Sequence, residues 1–336
     1  MPALYEANQV GKRESLADLI SVVEAQATPF SSMVPKRKKP NQVQHQWQAK
    51  SYPKTGHAGV LDGQDATNFT HNAREMLYGI SQKVWYLPAV SDFAEESVVA
   101  GAPKGEMAEQ IADALVNVKR QIEMRCLSND DQARDNGTTQ ANETRGMFQW
   151  IGNDEQSYLP VPANFRTPSA SIISGALDTV TETAFKQAAR ANYKQRKGTS
   201  ELYGFVGIDL KNEITNWSIY TDDVSNKTQS RRFSQDANSK ALLACIDKLV
   251  LDTGEIDLHL ASFAWTDPDT GDDTNYTHRS GIFVEMNMLG LAWTRMPRVV
   301  KLEYQGGGYK AIVDAIFMMM CDNPLGQMAV KSNSDS

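Results

Sequence analysis

The side chains best suited to chemistry in this 336-residue chain are five histidines, three cysteines and a run of aspartates. Their spacing builds no site. His45, His57, His71, His259 and His278 include no i, i+4 pair, the arrangement that lets one helix face hold a metal. Each reads as a surface or packing imidazole. Cys126, Cys245 and Cys321 are odd in number and far apart, so they make neither a metal pair nor a disulfide framework, a pattern at home in a reducing cytoplasm. The stretch from Asp267 to Asp273 (DPDTGDD) is superficially like a calcium loop. It lacks an acidic residue before its glycine, has no closing Glu and carries Pro at its second position, so it reads as a solvated turn. No Gly-rich loop is placed to cradle phosphates, and neither HExxH nor GxSxG occurs. Gly306-Gly307-Gly308 has no helix behind it to bind an anion and reads as a tip between strands. The expectation is no catalytic residue, no cofactor, no metal, and a protein that is not an enzyme.

Composition narrows the class further. The chain is 41% hydrophobic and 22% charged, ordinary for a soluble globular protein, and its length suggests about two domains. The longest apolar candidate for a membrane span, Ala311 to Cys321, is too short and is interrupted by Asp314. The amino terminus has no apolar signal core. A net charge of −7 argues against a free-standing nucleic-acid binder. The charge is uneven, however: residues 1–60 hold eight basic and four acidic groups, leaving −11 for the rest. A basic arm on an acidic body can reach the body of a neighbouring copy.

The elements follow in an unusual order. Within residues 1–40, Leu16, Leu19, Ile20 and Val23 give a short helix with a narrow apolar stripe that stops at Thr28-Pro29-Phe30. Lys36-Arg37-Lys38-Lys39 follows, fenced by Pro35 and Pro40. That run is either a solvated linker or an electrostatic contact with another subunit or with packaged nucleic acid. Residues 41–91 read as a long hairpin. Val43, His45, Trp47 and Ala49 alternate with polar residues, a polar segment through Asp62-Gly63 turns, and a return strand runs from about Leu77 to Val90. Such a ribbon has no core of its own and needs support, so Trp47 is expected to serve assembly more than subunit folding. Residues 103–128 carry Met107, Ile111, Leu115, Val118, Ile122 and Cys126 at helical spacing. A second helix, Thr181 to Lys197, turns Phe185, Ala188, Ala189 and Tyr193 inward. Strands are expected at Leu202–Ile208, Ile256–Phe263, Gly281–Glu285 and Gln327–Lys331, with a helix near Asp209–Trp217. Arg298–Tyr304 and Ala311–Met320 are paired strands or a strand and a helix. No βαβ unit repeats, so the class is α+β.

The ordered set DLISVVEAQATPFSSMVPK, QHQWQAKSY, LDGQDA, LVNVKRQIE, TRGMFQWI, LYGFVGIDLKNEI, GIFVEMNMLGLAWT and RVVKLEYQGGGYKAIVDAIFMMM resembles the tailed-phage major capsid proteins of the SU10 type over nearly the whole chain. Asp62 stands where that family usually has Glu before the glycine, and residues 267–278 look like an inserted surface loop.

The resemblance implies the HK97-like capsid fold, divided as an N-terminal arm (1–40), an E-loop hairpin (41–91), a peripheral domain with a long spine helix (92–175 and 295–336) and an axial domain (176–294). It implies an icosahedral head shell enclosing double-stranded DNA, located in the virion and assembled in the host cytoplasm. The implied partners are the chain itself as pentamers and hexamers, a portal, optional decoration or separate scaffolding proteins, and non-specifically held DNA, with no membrane. Candidate assembly contacts are Leu16, Leu19, Ile20, Phe30, Lys36, Arg37, Lys38, Lys39, Trp47, Asp62 and Gly63. The arm is expected to cross onto an adjacent subunit. Neither cleavage of a large leading domain nor crosslinking through Lys50 or Lys54 is expected. The alternatives are a cellular nanocompartment shell on the same fold, and an α+β enzyme or sugar-binding protein.

Overall fold

A computed structural model describes residues 28–50, 59–63, 65, 74–97, 105–152, 158–175, 177–196, 201–217, 247–261, 279–304 and 306–332. The described residues open with a single turn, α1 (Pro29–Met33), and a two-residue strand, β1 (Lys36–Arg37). The hairpin follows as β2 (Gln44–Lys50) and β3 (Arg74–Ile80). The return strand is not continuous. It breaks at Ser81 into β4 (Gln82–Tyr86) and β5 (Ala89–Val90), because these pair with a different partner. Helix α2 (Asp92–Glu96) leads to the long helix α3 (Glu106–Leu127), and α4 (Met147–Trp150) closes this part. Beyond it come β6 (Ile172–Gly175), α5 (Glu182–Arg196), β7 (Glu201–Val206), α6 (Ile208–Asn216), β8 (Lys248–Leu251), β9 (Gly254–Leu260), β10 (Gly281–Val284), β11 (Leu289–Lys301), β12 (Tyr309–Cys321) and β13 (Met328–Ser332).

The apolar spacing of α3 turns Ala114, Val118, Ile122 and Cys126 onto a sheet ordered β1-β11-β12-β4, with β5 on the end of β12. Glu106 and Glu109 sit at its positive end and Arg125 at its negative end. Its first turn is capped from a distance, since the Met107 N–H donates to the Glu95 carboxylate at 2.8 Å. The long strands β11 and β12 settle the open reading of Ala311–Met320: it is a strand. Ala311, Val313, Ala315, Phe317, Met319 and Cys321 point toward α3, while Met318 and Met320 pack with Ala292 on the other side. Gly306, Gly307 and Gly308 make the turn, all at positive φ. A side chain at Gly308 would collide with the Val90 carbonyl, so the turn can press against β5 only with glycine there.

The second sheet is ordered β6-β13-β10-β7-β9-β8, with α5 and α6 supplying Phe185, Ala188, Ala189, Leu210 and Ile214 to its core. Strand β13, grouped in sequence with the part that follows residue 294, lies between β6 and β10 in this sheet. In α5 the inward position after Ala189 is Asn192, and Tyr193 is exposed, contrary to expectation. At about 100° per residue, position 192 returns to within about 20° of Phe185 whereas 193 lies about 80° away. The two sheets share one continuous core, in which Phe205, Ile282 and Ala329 join the residues under α3.

Candidate assembly interface

The arm residues that are described dock on their own subunit. Phe30 is fully buried and meets Phe205 edge-on with ring centroids 5.1 Å apart. Glu123 on α3 accepts the Phe30 and Ser31 backbone N–H groups at 2.8 and 2.7 Å, covering the open start of α1. Parallel pairing places Lys36 opposite Leu291 and Arg37 opposite Ala292. Arg37 then forms an ion pair with Asp322 at 2.6 Å and donates to the Asn287 carbonyl at 3.0 Å. Gly290 permits this approach, since any Cβ there would strike the Arg37 stem. The expectation of an arm that leaves its subunit therefore fails for residues 28–37. Three prolines suggested that the segment could not fold back, yet a carboxylate and a strand edge supplied by distant sequence give its backbone partners. Lys36, Lys38 and Lys39 are exposed. Leu16, Leu19 and Ile20 lie outside the described residues.

Burial pushes the Glu123 carboxyl above its ordinary value, although its hydrogen bonds with Ser31 and Phe30 oppose the shift. Its folded value therefore exceeds its unfolded one, about 4.3. The stabilisation linked to that proton is full below the unfolded value and lost as pH rises through the folded one. In urea titrations, the stability of the parent minus that of a Glu123→Gln variant should fall as pH is raised from about 4 toward neutrality. A difference that is flat with pH contradicts this reading of Glu123.

Trp47 is half-buried within the subunit. It lies opposite Leu77 in the hairpin, and its ring centroid is 5.9 Å from that of the buried Trp150. It therefore has a packing role within the subunit, because β3 runs into the body of the sheet at Leu77 and Ile80 and carries β2 down with it. Trp47→Ala should lower subunit stability by about 2–3 kcal/mol, less than the roughly 3–5 kcal/mol of a fully buried aromatic. Urea unfolding of the unassembled subunit measures it; unchanged stability with failed assembly would return Trp47 to the interface.

The far end of the hairpin has no such support. Val60 and Leu61 are 79% and 78% exposed, next to exposed Asp62 and Asp65, with Gly63 at φ +77° making the turn. An apolar pair beside two carboxylates is thus presented to solvent.

An opposite surface lies on the face of the first sheet turned away from α3. Cross-strand register sets Trp85, Asp314 and Arg298 side by side on three strands. The nearly buried Asp314 carboxylate receives Arg295 at 2.7 Å, Arg298 at 3.1 Å and Lys83 at 3.8 Å. Three cations share one carboxylate, leaving a surplus of two. Lys83 also sits 4.5 Å above the Trp85 ring. Trp85 is 52% exposed there, and Leu87, Val300 and Leu302 on the same strands or just beyond them are open as well. Exposed apolar patches of this kind occur where proteins meet partners, ligands or membranes. The sequence shows Asp314 only as an interruption in an apolar run; Lys83 is remote in sequence, and Arg295 and Arg298 reach it across the β11–β12 hairpin.

Elsewhere the described residues hold no group of three His, Cys, Asp or Glu arranged for a metal, and none of their helices is long and apolar enough to cross a membrane. Cys126 and Cys321 are buried free thiols whose burial pushes their pKa up, so they stay protonated. His45 stacks on Trp47, and His259 on Tyr203 and Phe205, as packing rings. His57, His71, His278, Cys245 and the stretch 267–273 lie outside the described residues.

Comparison with known proteins agrees with this architecture. Among solved structures, the fold is similar to a capsid chain of the cyanophage P-SCSP1u (TM-score 0.57, 10% identity, 96% of this chain and 93% of that one). It is equally similar to a chain from Mycobacterium phage Bobi (TM-score 0.57, 10% identity, 96% of each chain). The capsid of a native GTA particle matches with TM-score 0.57 and 10% identity, over 97% of this chain and 96% of that one. At such identities the likeness establishes the fold, which is the α+β, HK97-like capsid fold. No curated protein matches by sequence. The SU10 major capsid protein family matches residues 4–331, nearly the full length. With this fold and a family match of that extent, the chain belongs to the SU10 major capsid proteins, the shell-forming proteins of phage virions.

Proposed function

We propose that copies of this chain close into rings of five and six and build the icosahedral head that encloses the double-stranded DNA of a tailed bacteriophage. The observation carrying this reading is the pair of complementary surfaces on one subunit. The apolar tip at Val60 and Leu61 with Asp62 and Asp65 is matched by the exposed aromatic face with its surplus cations at Lys83, Arg295 and Arg298. Because the two patches differ, their contact is heterologous, and a heterologous contact closes a ring when its rotation divides a full turn into five or six. In this reading residues 1–40 are the arm and 41–91 the reaching hairpin. Residues 92–171 and 295–327 form the peripheral part. Residues 176–294 form the axial part, completed by β6 and β13, whose hydrogen bonds lie in its sheet. The chain catalyses no reaction, assembles in the host cytoplasm, and meets a portal at one vertex. Electron microscopy of the purified recombinant chain tests the reading: closed shells are expected, and monodisperse monomers at every salt and concentration would overturn it.

A further inference from the structure

Helix α5 is strongly basic in an otherwise acidic protein. Between Glu182 and Arg196 it carries Lys186, Arg190, Lys194 and Arg196 against Glu182 alone, in a chain of net charge −7. Arg196 is turned inward, whereas Lys186, Arg190 and Lys194 follow one another at intervals of four on the solvent side, with the exposed Tyr193 and Gln187 between them. This face borders a groove of about 580 Å³ lined by Thr183, Lys186, Gln187, Arg190, Tyr193, Leu251, Asp252 and Thr253. Lys186 is paired with Glu182 at 2.5 Å, and Asp252 stands on the opposite wall. Neither Arg190 nor Lys194 has an ion-pair partner among the described residues.

We infer that this stripe is the surface through which the subunit meets the phosphate backbone of double-stranded DNA, so that α5 faces the packaged genome. The inference rests on the head-shell reading and adds the orientation that the reading lacks. Three cations at steps of four residues span about 12 Å of helix. Duplex DNA presents about one negative charge per 1.7 Å of axis, about seven over that length. The match is of charge and length and carries no base recognition. Lysine and arginine supply the charge, while the Tyr193 hydroxyl, Gln187 and the two threonines offer the hydrogen-bonding groups that commonly line phosphate and sugar contacts. Three cations on a subunit of net charge −7 hold DNA weakly and release it as salt rises. A neighbouring subunit's acidic segment is the competing occupant.

Two measurements decide between them. Full-length subunits are titrated with a labelled 30-base-pair duplex of arbitrary sequence over a series of salt concentrations. The triple variant K186Q/R190Q/K194Q should weaken binding and reduce the slope of log affinity against log salt by about 2–3. A variant of the exposed basic run, K36Q/K38Q/K39Q, should leave the slope unchanged. Equal slopes for parent and α5 variant, or a loss confined to the variant of the run, would overturn the inference. In parallel, acetylation of Lys186 and Lys194 is compared between DNA-filled heads and empty shells. Protection only in filled heads is expected, and equal protection in both would assign the stripe to a protein contact. Electron microscopy of the α5 variant should show normal shells. Failure of parent and variant alike to form shells would instead count against the head-shell reading.

Discussion

Phe30→Ala should destabilise the unassembled subunit by about 3–5 kcal/mol, the cost of emptying a fully buried aromatic site. Phe30 has no exposure and touches Phe205 of the second sheet, while α3 holds the backbone of its turn through Glu123. Truncating it opens a cavity where three elements meet, so little local collapse can fill the space. Against a typical total of about 5–15 kcal/mol, the loss is large enough to leave much of the protein unfolded. A pair of deletions sharpens the point. Removing residues 1–27 keeps every described arm contact and serves as the reference. Removing residues 1–34 also strips Phe30 and Val34 from the core and should yield aggregating protein. A stable, soluble product of the longer deletion would show that the arm does not belong to its own subunit.

The second large effect falls on assembly and spares the fold. Replacing both Val60 and Leu61 by Asp should abolish closed shells while leaving the unfolding free energy of the subunit within about 0.5 kcal/mol of the parent, as for surface substitutions generally. Both side chains are almost wholly exposed in the single subunit, so the subunit loses nothing when they change. Across the proposed contact, each new carboxylate would have to leave water against an aromatic surface. If charge pairing between Asp62, Asp65 and the surplus cations contributes, assembly of the parent should also weaken with added salt. Normal shells from the double variant, seen by electron microscopy, would remove the tip from the interface.

Periodicity alone disclosed the parts of the fold whose burial is one-sided. Helix α3 was legible because its stripe faces a sheet while its other side faces water, and β2 was legible because Gln46, Gln48 and Lys50 alternate outward. Strand β12 was ambiguous between strand and helix for the opposite reason. It is buried on both faces along most of its length, so no alternation survives. The break of the return strand at Ser81 has no local signal; it comes from β4 pairing with β12, more than 200 residues on. The arm was misjudged for the same reason, since Glu123 and Asp322, which hold it, are remote in sequence. Of the candidate contacts, Asp62 and Gly63 were legible as a turn. The receiving face was not, because Lys83, Arg295, Arg298 and Asp314 become neighbours only through strand register.

The most direct test of the account is a cryo-electron microscopy reconstruction of the assembled shell at a resolution that traces the hairpin. The account predicts rings of five and six in which the Val60-Leu61 tip of one subunit lies against Trp85 and Leu87 of the next, with Asp62 or Asp65 within ion-pair distance of Lys83, Arg295 or Arg298. A shell in which the tip stands free in solvent, or in which that sheet face is uncovered, would contradict it.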